Sequence, residues 1–115
     1  MGVHSRIDLG AVKIHRNVII SISSMAALEI EGVKEIGRNK AFNMAEILGL
    51  KGSTGIEVDF GKNDEIKMEI PLVVKYGYNI PEIAERVQEN VRITLEKMID
   101  KTPQDININI QGIEK

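Results

Sequence analysis

Glu65–Ile99, EIKMEIPLVVKYGYNIPEIAERVQENVRITLEKMI, changes its hydrophobic period halfway along, and that change decides the fold. In the first half apolar and polar residues alternate. Ile66, Met68, Ile70, Leu72, Val74 and Tyr76 fall on one side, with Glu65, Lys67, Glu69 and Lys75 on the other. A β-strand sends successive side chains to opposite faces, so this is a long strand with one buried face. From Ile80 the period becomes that of a helix. Ile80, Ile83, Ala84, Val87, Val91, Leu95 and Met98 form one stripe; Glu82, Glu85, Arg86, Glu89, Arg92 and Glu96 form the opposite one. Gly77-Tyr78-Asn79 joins the two elements. Asn79 reads as the helix N-cap, Glu82 completes a capping box, and Pro81 sits in the first turn, where no helical hydrogen bond is lost. A strand face and a helix stripe joined by so short a turn pack on each other as two layers.

Working outward, Gly61-Lys62-Asn63-Asp64 folds the chain back onto Ile56, Val58 and Phe60, which alternate with Glu57 and Asp59 as the other arm of an antiparallel hairpin. Pro71 has no N–H for a ladder bond, which predicts an edge or a bulge in that half of the long strand. Beyond the helix, Lys101–Gln104 is a break containing Pro103. Ile106, Ile108 and Ile110 then alternate with Asn107, Asn109 and Gln111 as a last strand. Towards the N-terminus, Ala11–His15 reads as a short strand with Val12 and Ile14 on one face. Asn17 is expected to cap a helix running to about Ile30, with Val18, Ile22, Met25 and Ala26 as its core stripe and Ile19 and Ile30 at the margins. Ser21, Ser23 and Ser24 read as small packing or solvent positions, and Gly32 as the stop. Val33–Gly37 is a brief extended or turn segment. In Arg38–Thr54, Ala41, Phe42, Ala45 and Leu48 fit one face of a short helix before Gly49, Gly52 and Gly55 break the chain. That stretch reads as an insertion. The expected architecture is α+β: a two-layer sandwich with a mixed or antiparallel sheet of about four to five strands and two main helices on one face, in the order β-α-β-β-β-α-β. Residues 1–10 form a flexible lead-in, and residues 11–115 a single domain with the insertion at 38–54.

Composition bounds the function more than it points to one. The 115 residues are 43% hydrophobic and 28% charged, as in an ordinary globular domain with one core. A net charge of −2 gives no electrostatic pull toward nucleic acid or anionic lipid, and 3% aromatic content leaves no platform for stacking bases. The absence of cysteine excludes disulfides and thiolate chemistry. Apolar runs such as VIISI at 18–22 are too short to span a bilayer, and no signal-peptide pattern opens the chain, so a cytoplasmic location is the expectation.

No constellation of residues reads as a catalytic or metal centre. His4 and His15 have no carboxylates at metal-ligand spacing, and no serine sits on a strand-turn-helix elbow. Asp59, Asp64 and Glu65 supply too few oxygens in the wrong order for a calcium loop. Gly49-Leu50-Lys51-Gly52 matches the GXXG loop by which KH domains clamp an RNA backbone, but that loop joins two helices, whereas here a strand follows. Turn glycines are the simpler reading.

VVKYGYNIPEIAERVQENV at 73–91 carries a resemblance. So do Gly10 through Asn17-Val18-Ile19, the step Glu31-Gly32-Val33, and the closing Ile108-Asn109-Ile110-Gln111-Gly112-Ile113. Together they resemble the alkaline-shock or envelope stress response family of Gram-positive bacteria over nearly the whole chain except 38–54. Tyr76-Gly77 followed by Asn79-Ile80-Pro81-Glu82, then Val87-Gln88 and Val91, is the most specific part. The chain departs from the family pattern at Asp100-Lys101-Thr102-Pro103, where a Thr-Gly or Ile-Gly step is common. The resemblance implies a small non-enzymatic cytoplasmic protein that self-associates and attaches to the cytoplasmic membrane face through a membrane-anchored partner. It implies no cofactor, no metal and no catalytic residue; some members are linked to lipid metabolism.

The resulting expectation is an interaction protein of the envelope stress response, a homo-oligomer docking to protein partners, without direct membrane insertion. Tyr76, Gly77, Tyr78, Asn79, Pro81, Glu82 and Glu85 are the candidate docking residues, and the long alternating strand offers an edge for pairing between copies. Two alternatives are a KH-like RNA-binding adaptor using Gly49–Gly52 and a regulator of a lipid-metabolism enzyme.

Overall fold

The computed structural model describes residues 16–38, 55–62 and 65–115. The lead-in at 1–10, the strand expected at Ala11–His15, both histidines, the short helix and GXXG loop expected within 38–54, and Asn63 and Asp64 lie outside the described residues. Helix α1 covers residues 16–28. It is followed by β1 (Val33–Ile36), β2 (Glu57–Phe60), β3 (Ile66–Lys75), helix α2 (Ile80–Ile99) and β4 (Asp105–Glu114). From α1 onward this is the expected succession of elements.

The sheet is mixed, and β3 is its centre. β4 runs parallel to β3 along Lys67–Lys75. The other edge of β3 is shared end to end by two antiparallel strands: β2 opposite Ile66–Glu69 and β1 opposite Leu72–Val74. The Gly37 N–H donates to the Pro71 carbonyl, and the Gly55 N–H donates to the Gly37 carbonyl. These two bonds set Gly55 beside Gly37 at the gap between β1 and β2. Pro71 corrects the edge expectation, because it lies in the central strand. Backbone N–H and C=O of one strand residue point to the same neighbour. Its carbonyl faces Gly37, so its missing N–H falls where β1 has ended and β2 has not begun. The interruption removes the need for a donor.

One face of the sheet carries the core. Ile66, Met68, Ile70, Leu72 and Val74 of β3 are buried against Ile83, Val87, Val91 and Leu95 of α2 and Ile19, Ile22, Ala26 and Ala27 of α1. Ile106, Ile108 and Ile110 of β4 pack at the margin of this cluster. Both helices thus cover the same face. The stripe of α1 is rotated from the expected one: Met25 is 61% exposed and Val18 is 37% exposed, while Ile19 is buried. Ser23, Ala26 and Ala27 explain the rotation, since small side chains let a helix lie close to its neighbours. The Ser23 hydroxyl is buried and donates to the Met68 sulfur at 3.9 Å, and the Asn90 side chain of α2 donates to the Ala26 carbonyl at 2.7 Å. Asn17 is not the cap, because residue 16 is already helical. Met98 is likewise exposed, at the far end of the α2 stripe.

α2 ends at Ile99, just before the step at Asp100 where the sequence departs from the pattern it otherwise resembles. Asp100 takes the left-handed conformation, φ 56° and ψ 41°, and its N–H donates to the Glu96 carbonyl. Asp does the work commonly given to Gly at this position, since a short polar side chain tolerates that region.

Candidate interaction site

At the top of β3 the chain stops being a strand at Lys75 and starts being a helix at Ile80. Gly77 makes the reversal possible: its φ is +96°, a region that other residues enter at a cost. Asn79 is extended, and its side-chain oxygen accepts the Glu82 N–H at 3.1 Å, capping α2 as its residue type predicts. Pro81 occupies the first turn, and Glu82 bonds Arg86 at 2.6 Å on the exposed helix face.

Two distant segments support this turn. The Glu31–Gly32 turn meets it from one side: the Lys75 N–H donates to the Gly32 carbonyl at 2.7 Å, and the Tyr78 hydroxyl donates to the Glu31 carboxylate at 3.2 Å. Gly32 has φ +103°, and a Cβ there would stand 2.5 Å from Ile83 Cδ1 and 2.8 Å from Tyr78 Cδ1. No other residue fits under that ring. From the other side the end of β4 closes in. The Tyr76 N–H donates to the Glu114 carbonyl at 2.7 Å, and the Lys115 ammonium lies 5.5 Å from the Tyr76 ring centroid, within cation–π range. Lys34 and Glu114 form an ion pair at 2.8 Å across the sheet's top edge.

The electrostatics follow the contacts. Partial desolvation, the Glu31 charge and the hydrogen bond to Glu31 together raise the Tyr78 phenol above its ordinary 10.0. The hydrogen bond to Glu114 raises the Lys34 ammonium. Neither shift brings a group into the neutral range as an acid or base. What the arrangement offers is a rim that carries two exposed aromatic side chains: Tyr76 is 66% exposed and Tyr78 is 38% exposed.

Tyr76, Gly77, Tyr78, Asn79, Pro81 and Glu82 are brought together here with Glu31–Gly32 and Glu114–Lys115. Glu85 is not. It lines a separate open groove of ≈ 690 Å³ between α2 and the start of β4, with Gln88, Arg92 and Ile106 among its neighbours. Sequence reasoning missed Gln111, whose side chain donates to the Arg38 carbonyl at 2.7 Å and accepts from the Arg38 N–H at 3.1 Å. A signal was present. The isoleucines of β4 fall at 106, 108 and 110 and then at 113, and such a break in alternation marks a β-bulge; the register shifts at that point. Among the described residues no group of three or more His, Cys, Asp or Glu could hold a metal, and no helix is long and apolar enough to cross a membrane.

Uncharacterized protein YqhY of Bacillus subtilis (strain 168) is 38% identical over 112 residues, covering 96% of this chain and 82% of that protein. Uncharacterized protein YloU of the same organism is 27% identical over 116 residues, covering 98% of this chain and 96% of that protein. In fold, the chain is similar to the structure titled "MamM CTD - Copper form", with a TM-score of 0.56, 14% identity, and 85% and 86% of the two chains covered. The model of the alkaline-shock protein 23 family, cell envelope-related function, matches residues 4–115. Two of the segments that meet here, the Tyr76–Asn79 turn and Glu31–Gly32, also carried the resemblance in sequence, and the chain belongs to this family of cell envelope-related proteins.

Proposed function

We propose that this protein acts without chemistry of its own, as a self-associating interaction protein that docks a membrane-anchored protein partner at the cytoplasmic face of the cell envelope. The observation that carries the reading is the rim at the top of the sheet. A turn whose only role was to connect β3 to α2 needs Gly77 and Asn79, but it does not need two exposed tyrosines, one braced by Glu31, 47 positions away in sequence, and the other by Glu114 at the end of β4. Exposed aromatic side chains on a rigid support are what protein interfaces favour, since they supply contact area at small entropic cost. Family membership supports the envelope setting.

The test is recovery of partners by the tagged full chain from gently solubilised cells, beside the variant Tyr76→Ala/Tyr78→Phe. A membrane protein recovered in stoichiometric amount by the parent and lost with the variant supports docking through this rim. RNA recovered instead would replace the reading with the KH-like one. A soluble metabolic enzyme would replace it with regulation of lipid metabolism.

A further inference from the structure

We infer that the edge of β4 turned away from β3 is a self-association surface, pairing antiparallel with β4 of a second copy about a two-fold axis through Ile108. This rests on the self-association in the proposed function and assigns it a place. β4 is ten residues long and, among the described residues, pairs only with β3. Its polar groups are oriented outward in a regular way. Pro71 and Lys75 of β3 bond toward β1 and its flanks, and Tyr76 bonds toward Glu114, so the even-numbered residues of β3 serve β4. Parallel pairing in the observed register then turns the backbone of Ile106, Ile108 and Ile110 to the free side. Gln88 marks that side: its amide reaches down from α2 and donates to the Ile106 carbonyl at 2.7 Å. A carbonyl has two lone pairs, so this bond leaves room for a second donor.

The occupant follows from the sequence of the edge. Proteins that keep an edge strand single protect it with charges, Pro or a covering element. Ile106–Ile113 contains no charge and no Pro. Within it, Ile106–Ile110 also reads the same in both directions about Ile108. Two antiparallel copies place Ile106 opposite Ile110, Ile108 opposite itself and Asn107 opposite Asn109. The half-buried isoleucines would then complete their burial on the helix face, while the asparagines pair on the open face. Asp105 meets the neutral Gln111, so no like charges oppose. An arbitrary peptide has no reason to match such a pattern, whereas a second copy matches it by symmetry.

Sedimentation equilibrium of the full chain tests this with two paired-charge variants. N107K/N109K sets Lys against Lys in both symmetry-related pairs and is expected to raise the dimer Kd by about tenfold. N107K/N109D sets Lys against Asp in both pairs and is expected to match or tighten the parent. Circular dichroism and urea midpoints of the three proteins establish that each is folded. A parent that stays monomeric overturns both the edge assignment and the self-association. A parent dimer indifferent to both variants keeps self-association and overturns the edge. A monomeric parent that dimerises once residues 1–15 are removed shows that the chain covers its own edge, and likewise overturns the assignment.

Discussion

The Tyr78 hydroxyl donates to Glu31, a residue 47 positions earlier, and this one bond couples the two turns at the top of the sheet. Its titration reports the coupling. Partial desolvation comes first, followed by the Glu31 charge and hydrogen bond, and all act in the same direction: the neutral phenol is favoured in the folded state. The folded value lies above the unfolded 10.0, so the stabilising contribution is fully present below pH 10.0 and is lost as pH rises through the folded value. The chain has two tyrosines, so in the variant Tyr76→Phe the ultraviolet phenolate signal belongs to Tyr78 alone. Its midpoint is expected above 10.0 and should fall when Glu31→Gln is added. A midpoint at or below 10.0 would refute the contact. Glu31 and Tyr78 were both visible in the sequence, Tyr78 as a candidate. Their meeting was not, because nothing local in either segment refers to the other.

At the scale of elements, local periodicity was a good guide wherever the apolar residues were large. β3 and α2 appear within a residue or so of their expected ends, and the Asn79 cap is formed as read. Replacing Asn79 by Ala leaves the Glu82 N–H without its side-chain acceptor, and is expected to cost about 1 kcal/mol in urea unfolding. Gly in its place should cost only a few tenths of a kcal/mol, since it keeps the N-cap conformation open to water. Helix α1 shows the limit. Its phase was set by Val18 and Met25, yet Ser23, Ala26 and Ala27 face inward. Hydrophobicity ranks Val and Met above Ser and Ala, whereas close approach between α1, β3 and α2 selects for small volume. Pro71 is the same lesson in a strand: its missing donor forbids a ladder bond on one side only, and the gap between β1 and β2 supplies that side.

For the whole molecule, the side chain of Gln111 ties the two sides of the sheet together. It extends from β4 across the central strand to both backbone groups of Arg38, where the chain leaves the β1 edge. Gln111→Ala removes both bonds. It is expected to cost about 1 kcal/mol and to raise amide hydrogen exchange at Arg38 well above that of Val33. Equal protection in variant and parent would refute the tie. The sequence by itself determined the α+β class, the hairpin, the strand–turn–helix unit and the family, because each is written in local periodicity, turn residues or contiguous motifs. Only the tertiary structure decided that β3 is central, that β4 lies parallel beside it and pairs with no other strand among the described residues, and that Glu31, Tyr78 and Glu114 share one rim. These depend on which distant surfaces fit together, and a hydrophobic pattern says that a face must be covered without saying by what.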